Sequence, residues 1–162
     1  MIQEPDGEPG DSLEQRDAEK IILATLAVEL GVSLTPRSVA LPEGVRVTVD
    51  GVADTPPILV EAWAHQGPPK SAQKAKVVTD ALKLLWVDHV LFAGEARKIL
   101  ALSDTAAAGH FQGRSWMAAA FRDLGIEVGS SRFQTRSGRR SGVLRRDSSA
   151  EWRSGRARRA RS

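Results

Sequence analysis

Residues 45–86 read VRVTVDGVADTPPILVEAWAHQGPPKSAQKAKVVTDALKLLW, and the fold turns on this stretch. Val45, Val47 and Val49 alternate with Arg46, Thr48 and Asp50, the period-two pattern of a half-buried strand. Asp50-Gly51 is a strong turn signal and predicts a hairpin connection at that point. After Pro56-Pro57 a second strand is expected from Ile58 to Ala64. Ile58, Val60, Ala62 and Ala64 would share one face; Leu59, Glu61, Trp63 and His65 would share the other. Gly67-Pro68-Pro69 ends that strand, and Ser71 is placed to cap a helix. Ala75, Val78, Leu82 and Leu85 supply its predicted core stripe, widened by Ala81 and Trp86, with Lys76, Asp80 and Lys83 opposite.

Working outward, residues 1–11 are rich in Pro, Gly and acid, the composition of a disordered segment. Ser12 with Gln15 three residues later forms a predicted capping box. The helix it opens carries Leu13, Ala18, Ile21, Ile22, Thr25 and Val28 on one face. Leu23, Leu26 and Leu30 widen that stripe, so a well-buried helix is expected, and Gly31 lies where a terminal glycine belongs. Pro36 and Pro42 break the following loop, within which Ser38 to Leu41 is a further candidate for a short strand. Ile99 to Ser103 reads as a buried strand, Arg114 to Leu124 as a helix stopped by Gly125, and Ile126 to Val128 as a last strand. Two strands joined by a helix make a parallel pair. The expected class is α/β: a small mixed sheet flanked by helices, in the order α-β-β-α-β-α-β.

Charge divides the 162 residues. Residues 1–129 hold 12 Lys or Arg and 18 Asp or Glu, a net −6; residues 130–162 hold 11 Arg, no Lys, Asp147 and Glu151, a net +9. An acidic body argues against a broad duplex-binding face on the folded part. Residues 12–129 are therefore expected to form the domain, and residues 130–162 a disordered Arg/Ser-rich tail that binds polyanions non-specifically. The abrupt loss of lysine is equally what a frameshift in a GC-rich gene produces. With no cysteine, thiolate chemistry and disulfides are excluded. No apolar run reaches the ~20 residues of a membrane span, and the acidic start lacks a signal peptide's form, so a cytoplasmic protein without a membrane partner is expected.

Chemistry is concentrated in the opening stretch. Glu61 stands within an apolar strand, where an unpaired carboxylate is costly; it must be paired, wet or bound to a cation. Asp50 and Asp54 flank the expected connection and could approach Glu61 by strand pairing. Such oxygens suit Mg²⁺, which binds through one or two carboxylates plus substrate phosphate. Lys70 and Lys74, at the start of the helix, could meet that phosphate or stabilise developing charge. The plainer readings are that Asp50 forms a turn and that both lysines extend into water. His65 shares the predicted face of Glu61 and could serve as ligand or base.

This arrangement of a hairpin Asp, a strand Glu and a lysine-bearing helix resembles the restriction-endonuclease-like PD-(D/E)xK superfamily over residues 12–129. The resemblance implies metal-dependent phosphodiester cleavage of nucleic acid, with Mg²⁺ as cofactor. Asp50, or less well Asp54, matches the first acid, and Glu61 the second. Glu14 or Glu19 matches the assisting residue of the first helix. Trp63 stands where the strand lysine would be, and Lys70 or Lys74 corresponds to members that carry the lysine on the next helix, with Gln73 nearby. A non-catalytic module of the same fold, binding nucleic acid or a protein partner, is the alternative. So is an unrelated α/β protein whose acids merely solvate it.

Overall fold

The valine-rich stretch does form adjacent strands, and they are the centre of a five-stranded sheet. The computed structural model describes residues 13–130; the Ser12 cap, the acidic segment 1–11 and the arginine-rich segment beyond Ser130 lie outside the described residues. In chain order come α1 (Leu13–Leu30), β1 (Thr35–Ala40), β2 (Arg46–Asp54), β3 (Pro57–Trp63), α2 (Ser71–Phe92), β4 (Arg97–Leu102), α3 (Thr105–Gln112), α4 (Trp116–Asp123) and β5 (Ile126–Ser130), with a short 3-10 turn at Pro42–Gly44. The strands lie side by side in the order β1-β2-β3-β4-β5. The β1/β2 and β2/β3 pairs are antiparallel, the β3/β4 and β4/β5 pairs parallel. The expected order gains a definite β1 and a helix, α3, that the pattern did not reveal.

Helices cover both faces of this sheet. On one side Ile22 and Leu26 of α1 pack with Ala53, Ile58, Val60, Ala62, Ile99 and Ala101. On the other, α2, α3 and α4 close over Val49, Val52, Leu59, Trp63, Leu100 and Leu102 through Leu84, Val87, Phe111 and Phe121. The face assignment for β3 therefore holds residue for residue. Because β3 is buried on both sides, a polar side chain there has water on neither face.

Three local expectations are corrected. Asp50-Gly51 is not a turn; β2 runs through it, and the chain reverses at Thr55-Pro56. The register with β1 shifts here, since Thr35 faces Val52 while Arg37 faces Val49, leaving one extra residue in β2. That is a β-bulge, the other use of a glycine in a strand. Gly51 also admits α1: a Cβ there would meet Leu23 Cδ2 at 3.0 Å. Second, α2 buries Val77, Asp80, Ala81, Leu84, Val87 and Asp88, whereas Leu82 is 65% exposed and Trp86 40%. The inward stripe contains two carboxylates, so counting apolar residues set the helix phase wrongly. Third, α1 buries only Ile22 and Leu26, and Leu13, Ile21 and Val28 face outward, because a single helix on that face has one side to bury.

Two inward carboxylates of α2 have lysine partners. Asp88 Oδ2 accepts from Lys98 Nζ at 2.5 Å and its Oδ1 accepts from the Ala96 backbone N–H, which fastens the end of α2 to the start of β4. Asp80 is paired inside the group described next.

Candidate functional site

The bulge decides where the site lies. Regular β2/β3 pairing stops at Gly51 and Val60, so Asp50 and Glu61 stand where the two strands part. There Asp50 Oδ2 accepts from the Ala62 backbone N–H at 2.9 Å, substituting for the missing ladder bond. The extra residue thus turns the Asp50 carboxylate toward β3, beside Glu61.

Glu61 is 4% exposed. Its Oε2 lies 2.7 Å from Lys83 Nζ, while Oε1 is buried with no hydrogen-bond partner among the described residues. Lys83 comes from the fourth turn of α2 and also donates to the Thr48 carbonyl at 2.9 Å, so its ammonium bridges the parted strands. Asp80 Oδ1 is 3.8 Å from the same ammonium, and Asp80 Oδ2 accepts from Lys76 at 2.9 Å. From the other side of the sheet Glu19 of α1 approaches: it accepts from the Ala64 backbone N–H, lies close enough to Asp50 and Lys76 to feel their charges, and receives Gln15 at 3.2 Å.

Lys83 and Lys76 thus pair with Glu61 and Asp80, and the Asp50 carboxyl lies close enough to Glu61 and Glu19 to add its charge. Burial pushes the Glu61 carboxyl up to about 8, with the Asp50 and Asp80 charges adding to the effect and the Lys83 contact opposing it without winning. Burial likewise raises Glu19, with Asp50 again contributing. Lys76 is raised by its Asp80 bond and by the charges of Glu61 and Glu19, which outweigh its own desolvation. The part of the Glu61 rise owed to the Asp50 and Asp80 charges is the part that a nearby cation would relieve.

The residues singled out in the sequence divide. Asp50, Glu61 and, from α1, Glu19 are brought together. Asp54 is not: four residues further along β2, roughly 13 Å at ~3.3 Å per residue, it is exposed and held by Arg37 through two bonds of 2.8 and 2.7 Å. Lys70 occupies the N-cap position assigned to Ser71, and its backbone N–H donates to the Gln73 side chain at 2.7 Å. Lys74 lies one turn on, near enough to His110 to help hold that imidazole below its usual range, although burial does more. Neither Lys70 nor Lys74 makes an ion pair with Glu61; Lys83 does. His65 stacks on Trp63, ring centroids 4.8 Å apart, and its Nδ1 meets Gln73 Nε2 at 3.1 Å, so it buttresses the start of α2. Just past β4, Asp104 caps α3, accepting from Ala106 N–H at 3.0 Å and from Gly67 N–H at 2.6 Å.

Lys83 and Asp80 were the residues sequence reasoning passed over. The signal available was their three-residue spacing on α2 together with the need of Glu61 for a positive neighbour.

Among the described residues, no group of three or more His, Asp or Glu side chains is gathered as a ready metal cage. The donors present still fit one kind of ion. Asp50 and Glu61 would offer two oxygen donors, one with a buried atom that has no partner among the described residues, and Mg²⁺ characteristically takes one or two carboxylates with the remainder from water and phosphate. The chain matches no protein-family model and has no significant match among curated proteins. No helix of the described residues is long and apolar enough to cross a membrane.

Proposed function

We propose that this protein is a Mg²⁺-dependent nuclease of the restriction-endonuclease-like kind, with Asp50 and Glu61 as the metal-holding pair. The observation that carries this reading is the buried Oε1 of Glu61, without a hydrogen-bond partner among the described residues, beside the charge of Asp50. When bound, the ion would supply charge neutralisation for a phosphodiester and a water of lowered pKa. The chain's own residues do the rest. Asp50, fixed by the Ala62 N–H, holds its carboxylate in one orientation. Glu19 stands against the same group from α1 and adds negative charge behind Asp50. Lys76, about half exposed and bonded to Asp80, can reach outward to a phosphate oxygen on which charge develops. Lys70 and Lys74, at the start of α2, would contact flanking phosphates, and the arginines beyond Ser130 would add salt-sensitive attraction.

The competing reading is a non-catalytic module that binds nucleic acid or a protein. Two observations favour it: Lys83 already sits on Glu61, and Trp63, where the strand lysine would stand, is buried in the core. Incubation with single- and double-stranded DNA and RNA in Mg²⁺ separates the two. Cleavage that chelator abolishes and that Glu61→Gln or Asp50→Asn reduces by about 10²-fold or more supports the nuclease. Absence of cleavage, or cleavage indifferent to Glu61→Gln, overturns it.

A further inference from the structure

Lys83 is placed where an inorganic cation would be useful. Its ammonium faces three oxygens from three elements: Glu61 Oε2 at 2.7 Å on β3, the Thr48 carbonyl at 2.9 Å on β2, and Asp80 Oδ1 at 3.8 Å on its own helix. These are the hard oxygen ligands that a small divalent ion prefers. We propose that Lys83 is a tethered counter-cation of Glu61, which a divalent ion displaces on entering, so that metal binding proceeds by cation exchange.

This rests on the metal reading above and adds to it how the site is regulated. An entering ion needs a lone pair before the ammonium departs, and the ionised Glu61 offers one at Oε1, which no group among the described residues holds. The ammonium also has somewhere to go. It retains the Thr48 carbonyl and the nearby Asp80 carboxylate, and its side chain is 22% exposed on a flexible stem. Lys98 is the contrasting case. Its side chain is 9% exposed, its carboxylate partner Asp88 is 4% exposed and also bound to the Ala96 N–H, and its second acceptor, the Ala96 carbonyl, lies beside the first. Lys98 has no retreat toward solvent and stays locked.

Calorimetric titration with Mg²⁺ tests the exchange, using the full chain and the variants Lys83→Met and Lys76→Met. Each variant removes one positive charge from the group, but only Lys83 touches Glu61. Lys83→Met is expected to tighten Mg²⁺ binding about tenfold or more, and Lys76→Met only about threefold or less, since a charge in direct contact counts for more than one screened by Asp80. Equal gains in the two variants, or unchanged or weaker binding in Lys83→Met, overturn the exchange while leaving the metal site intact. No Mg²⁺ heat in any of the three proteins overturns the metal reading itself. If Lys83→Met fails to fold, lysine ammonium NMR on the unmodified chain decides. The Lys83 resonance should move at saturating Mg²⁺ while that of Lys98 stays put; a stationary Lys83 signal alongside measured binding refutes the proposal.

Discussion

Glu61→Gln should change how stability depends on pH. In the folded protein the carboxyl keeps its proton up to about 8, whereas the unfolded chain releases it near ~4.3. Between those values the folded state binds more protons than the unfolded one. The Glu61 contribution is therefore fully present below the lower value and is lost as pH rises through the upper. At about 1.4 kcal/mol per unit, the ceiling on that loss is ~5 kcal/mol. Relaxation around the ionised Glu61–Lys83 pair reduces it to the order of 2–3 kcal/mol. Other groups titrate nearby: Glu19 has the same sign, His110 the opposite sign below its ordinary range, and Asp104 acts only at acid pH. All three are common to both proteins, so the difference between the two curves isolates Glu61. Denaturant unfolding from pH 5 to 9 should show the variant close to the wild type at pH 5 and more stable by roughly 2–3 kcal/mol at pH 9. A difference that stays flat, or that widens toward acid pH, refutes the reasoning.

Packing and placement set the remaining outcomes. Lys98→Met strands the Asp88 carboxylate in the core and should cost about 3–5 kcal/mol in the same unfolding measurement, a cost typical of a broken buried pair; a loss near zero would show that Asp88 finds water. Gly51→Val places side-chain atoms against Leu23 and should destabilise by about 1–3 kcal/mol, whereas Asp54→Ala should leave Mg²⁺ affinity unchanged and Asp50→Asn should weaken it, both read by calorimetry.

The sequence carried the sheet faces well and the helix faces poorly. Strand β3 declared itself because Ile58 to Trp63 alternates between two apolar environments and its neighbours could be inferred from short connections. In α2 apolar residues occur on all sides, and the true inward face contains Asp80 and Asp88. Only the positions of Lys76, Lys83 and Lys98 make that face tolerable, and those come from tertiary contact. The Asp50-Gly51 pair was legible as a special backbone point, but a local pattern does not distinguish a turn from a bulge; the approach of α1 does. Helix α3 escaped notice because Thr105 to Gln112 has Gly109 near its centre and three consecutive alanines that show no period. At the site, the demand of Glu61 for a positive neighbour was readable from its apolar flanks. Which lysine met it depended on the phase of α2, where the reading had failed.

The measurement closest to the heart of the matter is the carboxyl titration of Glu61 itself, followed by carbon NMR of the side chain with and without Mg²⁺. Without the ion the midpoint should lie near 8; with saturating Mg²⁺ it should fall by more than about one unit, as a cation beside a carboxylate favours the charged form. A midpoint in the ordinary carboxylate range, or one that Mg²⁺ leaves untouched, would contradict a cation-seeking site at this position.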